Sequence, residues 1–426
     1  MRVREFNSLI VQIGCAMGKQ FFRCLVAICL GLSLMLGLMP GLAAAATDEE
    51  QLLSEVWRLV NRTYLDETFN HQNWWFVRQH WLRQPLSDRA ATYGAIQSML
   101  ASLEDPYTRF LPPEQYQSLQ TSTSGELTGV GLQIAKDDQD GTLAVIAPLE
   151  GSPAAAAGLQ PRDRILAIDD IPTVELSLDD AANHMRGPLG TTVTLTFKRQ
   201  GLEPTNLTLK RDHIDLNPVS TRVINQAGVT LGYMRLSQFN GNAAAGVADA
   251  LAELEAQGVQ GYILDLRNNP GGLLTAGIEI ARHWIDEGTI VYTVDRQGVL
   301  DSFEAKGSAL TDAPLIVLVN EGTASSSEIL AGALQDNHRA QLVGHRTFGK
   351  GLIQSLFDLS DGSGLVVTVA KYETPAHHDI NRSGIRPDQR VSGEPATREA
   401  VATDADQPYQ VAIALLTETL APNHAS

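Results

Sequence analysis

The chain has 426 residues, of which 43% are hydrophobic and 19% charged, a composition typical of globular proteins and a length sufficient for two or three domains. Its formal net charge is −17, and a protein this acidic is a poor candidate for binding nucleic acid. All three cysteines lie within the first 46 residues, so the remaining chain can form no disulfide and offers no thiolate nucleophile or cysteine metal site.

The first 46 residues have the pattern of a secretory signal peptide. Basic residues precede an uncharged stretch from Cys24 to Thr47, which includes three alanines that end at Ala46. We therefore expect cleavage after Ala46 and export to the periplasm or a thylakoid lumen. An uncleaved membrane anchor is the alternative, but Pro40 and the alanines favour cleavage.

Residues 47–122 are predicted to form a helical N-terminal domain. The segment from Thr47 to Glu50 has the pattern of a capping box before apolar residues at helical spacing. A second helix is predicted from Ala95 and should end at Asp105–Pro106. The tryptophans of this segment are expected to fill a small core or to lie at an interface: Trp74, Trp75 and Trp81.

From residue 212 to the end, predicted strands and helices alternate, which indicates an α/β domain. The predicted strands are Leu231–Leu236, Tyr262–Leu266, Leu315–Val319 and Leu365–Tyr372. The continuous apolar run Leu315–Val319 is typical of a buried strand, and apolar residues at helical spacing begin after Ser325. Ser325 therefore lies where a strand passes into a helix, whose unpaired first-turn amides can hold an oxyanion.

A serine hydroxyl becomes a useful nucleophile only when a base takes its proton. The first candidate downstream is Lys350, 25 residues after Ser325, within the apolar segment Phe348–Ile353. Burial would lower the pKa of this amine from about 10.4 toward the roughly 7 to 8 that a general base needs. Taken alone, the triplet Ser325 to Ser327 is better explained as three helix-capping residues.

Two other patterns suggest different chemistry but are incomplete. The segment Gly344–Lys350 fits the start of a phosphate-binding loop, yet Gly351 stands where Ser or Thr would hold magnesium, which argues against a nucleotide ligand. His377 and His378 are adjacent, so an extended chain would direct them to opposite faces. No H-E-x-x-H motif is present, and a surface loop is favoured over a metal site.

The motif GTASSSEILAGAL at Gly322–Leu334, with Lys350 inside FGKGLIQ, resembles the carboxyl-terminal processing peptidases, which are Ser–Lys endopeptidases with an embedded PDZ domain. The resemblance covers nearly the whole chain after residue 46. It implies a β-α spiral core, related to the crotonase-like fold, at residues 212–426 with a C-terminal helical segment. It also implies that no metal or other cofactor is needed. The family places its nucleophile three residues before a glutamate, here Glu328, which selects Ser325.

The resemblance also assigns supporting residues around the catalytic pair. The oxyanion is expected to bind the amide of Ser326 and a second amide from the Pro270–Gly272 turn, with Gly271 favoured and Gly272 the alternative. Gln354 is expected to orient the lysine, either one helical turn after Lys350 or across a tight loop; a polar residue capping a strand is the alternative. Glu328 fits either a site-supporting acid or a surface charge.

Residues 123–211 resemble a PDZ domain, because a glycine loop and two further family blocks, SPAAAAGL and DRILAI, follow in order. Loop amides are expected to bind a chain-terminal carboxylate, and the strand that follows should pair with an extended peptide. A helix carrying Leu178, Ala181, Ala182 and Met185 provides either a pocket wall or plain core. Arg186, at the end of this helix, is a candidate for a contact that senses the position of the PDZ domain over the Ser325 cleft; a solvated cation at the helix end is the alternative. The residues expected to bind substrate are Gly129, Val130, Gly131, Leu132, Ile134 and Met185.

The function that follows is an exported serine endopeptidase that recognises the C-terminus of protein substrates through its PDZ domain and cleaves near it. In an oxygenic phototroph the substrate could be the photosystem II reaction-centre precursor. A trypsin-like protease would need a nucleophile motif that is absent. A catalytically silent PDZ scaffold is disfavoured by the spacing of Ser325 and Lys350.

Overall fold

The computed structural model describes residues 47–137, 140–149, 151–391 and 401–421. The predicted signal peptide, with its cleavage site and all three cysteines, lies outside these residues. Within the described ranges, no helix is both long enough and apolar enough to cross a bilayer.

The N-terminal segment is mainly helical, as predicted. Its elements are α1 (Asp48–Thr63), α2 (Trp74–Trp81), α3 (Arg89–Ala101), β1 (Arg109–Leu111) and α4 (Pro113–Ser124). The capping box at the start of α1 is confirmed, because the Glu50 N–H donates to Thr47 Oγ1 at 3.2 Å and the Thr47 N–H donates to Glu50 Oε2 at 3.1 Å.

The prediction for the tryptophans holds for two of the three. Trp74 is buried and stacks on Phe69, with ring centroids 5.3 Å apart, and Trp81 packs at the edge of the same core. Trp75 is 54% exposed, so its prediction as a core residue is wrong. Successive helical residues point roughly 100° apart, and the burial of Trp74 turns Trp75 toward solvent.

The PDZ segment is an antiparallel sheet with two helices. Its elements are β2 (Glu126–Gly129), β3 (Leu132–Lys136), β4 (Leu143–Pro148), α5 (Pro153–Ala156), β5 (Arg164–Ile168), β6 (Ile171–Pro172), α6 (Leu178–Met185), β7 (Thr192–Lys198), β8 (Thr205–Lys210) and β9 (Asp212–Asp215). The strand order is β3-β4-β5-β7-β8 with β6 on β5, so β3 is an edge strand. Strands β2 and β9 pair with each other, and the chain therefore enters and leaves this segment side by side.

The remaining elements build the predicted α/β core, and the four strands expected there are present with ends shifted by at most two residues. The elements are β10 (Val219–Gln226), β11 (Val229–Leu236), α7 (Ala243–Ala256), β12 (Gly261–Asp265), α8 (Leu274–Trp284), β13 (Thr289–Asp295), β14 (Gly298–Glu304), β15 (Leu315–Val319), α9 (Ser326–Asp336), β16 (Gln341–Gly344), β17 (Leu352–Asp358), β18 (Gly364–Glu373), β19 (Gln389–Arg390) and α10 (Gln407–Leu420).

The central sheet has the order β10-β11-β12-β15-β16-β19, and it is parallel from β11 to β19. Both of its faces are covered. In β12, Tyr262 and Leu264 belong to the core formed with α7, α8 and α9, whereas Ile263 belongs to the core formed with α10. The carboxyl ends of parallel strands meet at one edge, where α/β proteins place their sites. The loops that follow β12 and β15 therefore lie beside each other.

A second sheet has the order β1-β18-β13-β14, with β17 also paired to β18. Strand β1 comes from the N-terminal segment and pairs with residues 364–366 of β18. This pairing, which was not predicted, attaches the N-terminal segment to the sheet that contains β17, the strand that begins shortly after Lys350.

Candidate active site

Ser325 occupies a sharp turn between β15 and α9. Its backbone has φ 57° and ψ −122°, a conformation that costs free energy in a residue with a side chain and persists only where neighbouring structure enforces it. Two hydrogen bonds from the preceding residues do so here. Thr323 Oγ1 donates to the carbonyl of Leu266 at 2.9 Å, and the Ala324 N–H donates to the carbonyl of Asn269 at 3.0 Å. The loop after β12 thus fixes the serine turn.

The three adjacent serines have different surroundings. Ser326 and Ser327 are buried, and their hydroxyls donate to the carbonyls of Gly272 and Asn269, each at 3.0 Å. The Ser325 side chain is half-buried, and its hydroxyl donates to no protein acceptor in the described part of the chain. Ser326 and Ser327 therefore hold the neighbouring turn in place, and Ser325 is the serine whose hydroxyl remains available for chemistry.

Lys350 lies in the segment before β17 and is half-buried. Its Nζ lies 4.8 Å from the centre of the Tyr107 ring, and it forms no ion pair with the described residues. Burial lowers the pKa of the Lys350 amine, and the positive charge of Arg109 lowers it further; the negative charges of Asp105 and Glu328 oppose the shift. This is the direction that a lysine general base requires.

Glu328 connects the serine turn to the lysine segment. It is fully buried in the first turn of α9. Its Oε2 accepts hydrogen bonds from the backbone N–H groups of Ser325 at 3.0 Å and Lys350 at 2.9 Å. Its Oε1 accepts from Thr347 Oγ1 at 2.5 Å and the Gly349 N–H at 2.8 Å. Four donors compensate for the burial of the carboxyl group, and Glu328 is therefore a site-supporting acid, not a surface charge.

The same contacts distinguish the segment Gly344–Lys350 from a phosphate-binding loop. The amides of Gly349 and Lys350 donate to Glu328, and strand β17 follows them. A phosphate-binding loop instead has free amides and leads into a helix. The segment therefore has neither the free amides nor the following helix of such a loop.

The predicted oxyanion donors lie where the loop after β12 meets the serine turn. Gly271 has φ 94°, and a Cβ added to it would lie 2.8 Å from Ser325 Cβ and 2.9 Å from the Ser326 nitrogen. Only glycine fits this close approach. The Gly271 N–H, however, donates to Asn269 Oδ1 at 2.9 Å. Within the described chain, the N–H groups of Ser326 and Gly272 donate to no protein acceptor.

Gln354 lies in strand β17, so the predicted helical turn between Lys350 and Gln354 is wrong. Its Nε2 is buried and has no hydrogen-bond partner within the described residues. Gln354 is opposite Thr368 on β18, whose buried Oγ1 also lacks a partner there. A β-bulge between Ile353 and Gln354 shifts the register at this point, which a sequence pattern does not reveal.

The predicted carboxylate-binding loop precedes edge strand β3. Gly131 has φ 74°, and a Cβ there would lie 2.2 Å from Ser152 Cβ, so the loop requires glycine. Val130 and Met185 are buried in the PDZ core, whereas Leu132 and Ile134 are half-buried against it. Helix α6 carries the four apolar residues predicted to form a pocket wall or core. Ala181 and Met185 are buried, whereas Leu178 and Ala182 are more exposed. Arg186 forms a backbone bridge to Gly129 at the end of α6.

His377, one of the two adjacent histidines, contacts other protein side chains. The His377 ring stacks on Tyr292 with centroids 4.3 Å apart, and its Nδ1 lies 3.2 Å from Glu373 Oε2. Asp379 pairs with Lys371 at 3.1 Å. The described ranges contain no cluster of three or more residues of the kinds that ligate metals.

Sequence reasoning did not identify three residues that contact the catalytic pair or its supports. Tyr107 lies beneath the lysine amine, Asn269 binds the Gly271 amide, and Tyr372 reaches the backbone of both Ser325 and Lys350. Tyr107 and Tyr372 come from elements far from their partners along the chain, whereas Asn269 lies two residues before Gly271.

Comparisons with known proteins agree with this architecture. Residues 230–391 match the model of peptidase family S41, and residues 145–199 match that of a PDZ domain. The chain is 56% identical to a carboxyl-terminal-processing protease of Synechocystis sp., over 96% of each chain. It is 48% identical to the chloroplastic carboxyl-terminal-processing peptidase 2 of Arabidopsis thaliana, over 80% of this chain and 68% of that one.

A solved structure extends the likeness to three dimensions. The photosystem II D1 C-terminal processing protease is 41% identical to this chain and superposes with a TM-score of 0.56, covering 84% of this chain and 99% of that one. The predicted fold class, the PDZ domain and the serine endopeptidase activity are thereby confirmed. The chain belongs to the carboxyl-terminal-processing proteases of peptidase family S41.

Proposed function

We propose that Ser325 is the nucleophile and Lys350 the general base of this endopeptidase. The observation that carries the assignment is the Glu328 carboxylate, which accepts a backbone hydrogen bond from each of the two residues. The strained serine turn and the lowered pKa of the lysine support the same roles.

The reaction then proceeds through an acyl-enzyme. Neutral Lys350 takes the proton of the Ser325 hydroxyl as the oxygen attacks the scissile carbonyl. When the tetrahedral intermediate collapses, the C–N bond breaks and Lys350 returns the proton to the leaving amine. Lys350 then takes a proton from a water molecule, which attacks the ester; as the C–O bond breaks, Lys350 returns that proton to the Ser325 oxygen. These steps use protein groups and water alone.

The oxyanion is held by the Ser326 amide and one amide of the neighbouring glycine turn. Gly271 is the family's position, and its approach to Ser325 supports this role. Its N–H must first leave Asn269 Oδ1, whereas the Gly272 N–H donates to no described protein group. Gly272 is therefore the donor that this conformation favours, and Gly271 becomes available if the Asn269 side chain turns away. Gln354 is the proposed orienting group for the Lys350 amine, and its unpartnered Nε2 supports such a polar role.

Substrate capture is assigned to the PDZ segment. The loop Gly129–Leu132 binds the terminal carboxylate, β3 pairs with the extended chain, and Ile134 and Met185 contact its last side chain. The position of β3 at the sheet edge supports strand pairing. The paired strands β2 and β9 support domain limits near residues 123 and 211, with the helical domain at 47–122 and the core at 212–426.

The physiological substrate is proposed by relationship. One solved relative processes the C-terminus of the photosystem II D1 protein, and the corresponding precursor is the substrate proposed here for a phototrophic host. The proposed location is the thylakoid lumen or periplasm, because the first 46 residues have the pattern of a signal peptide.

Two alanine variants test the catalytic assignment. Ser325→Ala and Lys350→Ala should each lower kcat by at least about 10³-fold while the fold is retained. Lys371→Ala is the matched control, because Lys371 is also near the end of a core strand but pairs with Asp379 and Glu373. Cleavage is followed by mass spectrometry of peptides with free and amidated C-termini. Substantial turnover by folded Ser325→Ala would refute the proposed nucleophile.

A further inference from the structure

Tyr372 contacts the backbone of both proposed catalytic residues. It lies in β18 and is 1% exposed. Its hydroxyl is 2.7 Å from the carbonyl oxygen of Lys350 and 3.0 Å from the carbonyl oxygen of Ser325. Its own N–H donates to the carbonyl of Gly351 at 3.0 Å. One side chain therefore joins two segments that lie 25 residues apart in the chain.

The contacts of Tyr372 complement those of Glu328. Glu328 accepts the N–H groups of Ser325 and Lys350, and Tyr372 approaches the carbonyl groups of the same two residues. Because both ends of each residue's backbone are held, neither residue can rotate without breaking a buried hydrogen bond.

The surroundings of the Tyr372 hydroxyl favour its protonated form, which is the form that donates a hydrogen bond. Its pKa is raised well above the ordinary value, first by burial and then by the charges of Glu328 and Asp379. A phenol has one proton, so the two carbonyls share it. The Ser325 carbonyl also accepts from Glu328 and Ile329, whereas the Lys350 carbonyl has no other donor among the described residues. Without the Tyr372 hydroxyl, the Lys350 carbonyl would lose its donor among the described residues, whereas the Ser325 carbonyl would keep two.

We infer that Tyr372 is a positioning residue for catalysis: its hydroxyl sets the distance and orientation between the Ser325 and Lys350 segments. The inference rests on the proposed roles of these two residues. Misplacement of reacting groups by about 1 Å can cost on the order of 10²-fold in rate. Loss of the hydroxyl should therefore reduce the chemical step and leave substrate capture by the distant PDZ loop unchanged.

The test compares Tyr372→Phe with Tyr262→Phe. Tyr262 is a second buried tyrosine of the same core, on β12, and the polar group near its hydroxyl is Thr311, which belongs to neither catalytic segment. We expect Tyr372→Phe to lower the acylation rate and kcat by about 10- to 100-fold with KM within twofold. Tyr262→Phe should retain kcat within about twofold. Thermal melting of both proteins measures the stability that each hydroxyl contributes.

Rescue separates positioning from packing. Replacement of Tyr372 by 4-aminophenylalanine keeps a donor at the same place and should recover most of the rate. Replacement by 4-fluorophenylalanine fills the same space without a donor and should behave like Tyr372→Phe. These two proteins also serve as the test if Tyr372→Phe does not fold, since each substituent occupies the space that phenylalanine leaves empty.

Three results would overturn the inference. They are an unchanged kcat in Tyr372→Phe, equal rates for the 4-amino and 4-fluoro proteins, and parallel losses of kcat and peptide affinity. The Ser325→Ala variant distinguishes this failure from that of the proposed dyad. If Ser325→Ala is inactive and Tyr372→Phe is fully active, the dyad stands and only the role of Tyr372 is refuted.

Discussion

Removal of the charge of Arg109 or of Asp105 should shift the pKa of Lys350, and the two shifts should have opposite directions. Arg109 disfavours the protonated amine, and Asp105 favours it. Arg109→Gln should therefore raise the pKa of Lys350 and move the rising limb of the pH–rate profile to higher pH. Asp105→Asn should lower that pKa and move the limb to lower pH. The asparagine retains the Oδ1 that accepts the Tyr107 N–H at 2.9 Å, so the ring beneath the amine should stay in place.

The size of each shift follows from solvent screening. Arg109 is exposed and Asp105 half-buried, so each charge acts on the amine partly through water. Exposed charge pairs contribute about 0.2–1 kcal/mol, and one pKa unit corresponds to about 1.4 kcal/mol. Each variant should therefore shift the profile by about 0.15–0.7 pH unit.

The assay is the pH dependence of kcat/KM for a peptide that is cleaved at a single bond, because this quantity reports the free enzyme. Both shifts should shrink when ionic strength rises from about 0.01 M to 1 M, since the Debye length falls from about 30 Å to 3 Å. Two variants that move the limb in the same direction, or leave it unmoved at low salt, would refute the assignment of Lys350 as the titrating base.

Three other changes should have defined effects. Lys350→Met should raise Tm at neutral pH, because a lysine whose pKa is lowered on folding destabilises the folded state while the amine is protonated. The gain in Tm should vanish as pH approaches 10.5, the ordinary pKa of lysine. A lower Tm at pH 7 would contradict this prediction. Gly271→Ala should abolish most activity. Gly258 also has a positive φ, 77°, but has open space around it, so Gly258→Ala should cost only about 1 kcal/mol of stability and retain activity. Similar losses of activity in both variants would refute a steric role of Gly271 in the site. Amidation of a peptide's C-terminus should weaken its capture about 10- to 100-fold, measured by calorimetry with the Ser325→Ala protein, and equal affinities would exclude carboxylate recognition.

The elements with strong local patterns were predictable. The run Leu315–Val319 forms β15 with the predicted ends, because five successive apolar residues suit a strand that is buried on both faces. The capping box at Thr47 formed because its two partners are three residues apart. In both cases the residues that determine the structure lie within a few positions of one another.

Contacts between distant segments were not predictable from such patterns. The role of Glu328 depends on Thr347 and Gly349, about twenty residues later. Strand β1 pairs with β18 across more than half of the chain, and Gln354 lies beside a bulge that only its partner strand defines. A sequence pattern suggested the proposed reactive residues, but the groups that hold them follow from packing.

The most direct test of the proposed dyad is to trap its covalent intermediate. A peptide ester substrate is mixed with the enzyme, the reaction is quenched in acid during the first turnover, and the modified residue is located by peptide mapping with mass spectrometry. The acyl group should be found on Ser325, and Lys350→Met should abolish its formation while peptide binding persists. An acyl group on Ser326 or Ser327, or unchanged acylation in Lys350→Met, would contradict the proposed mechanism.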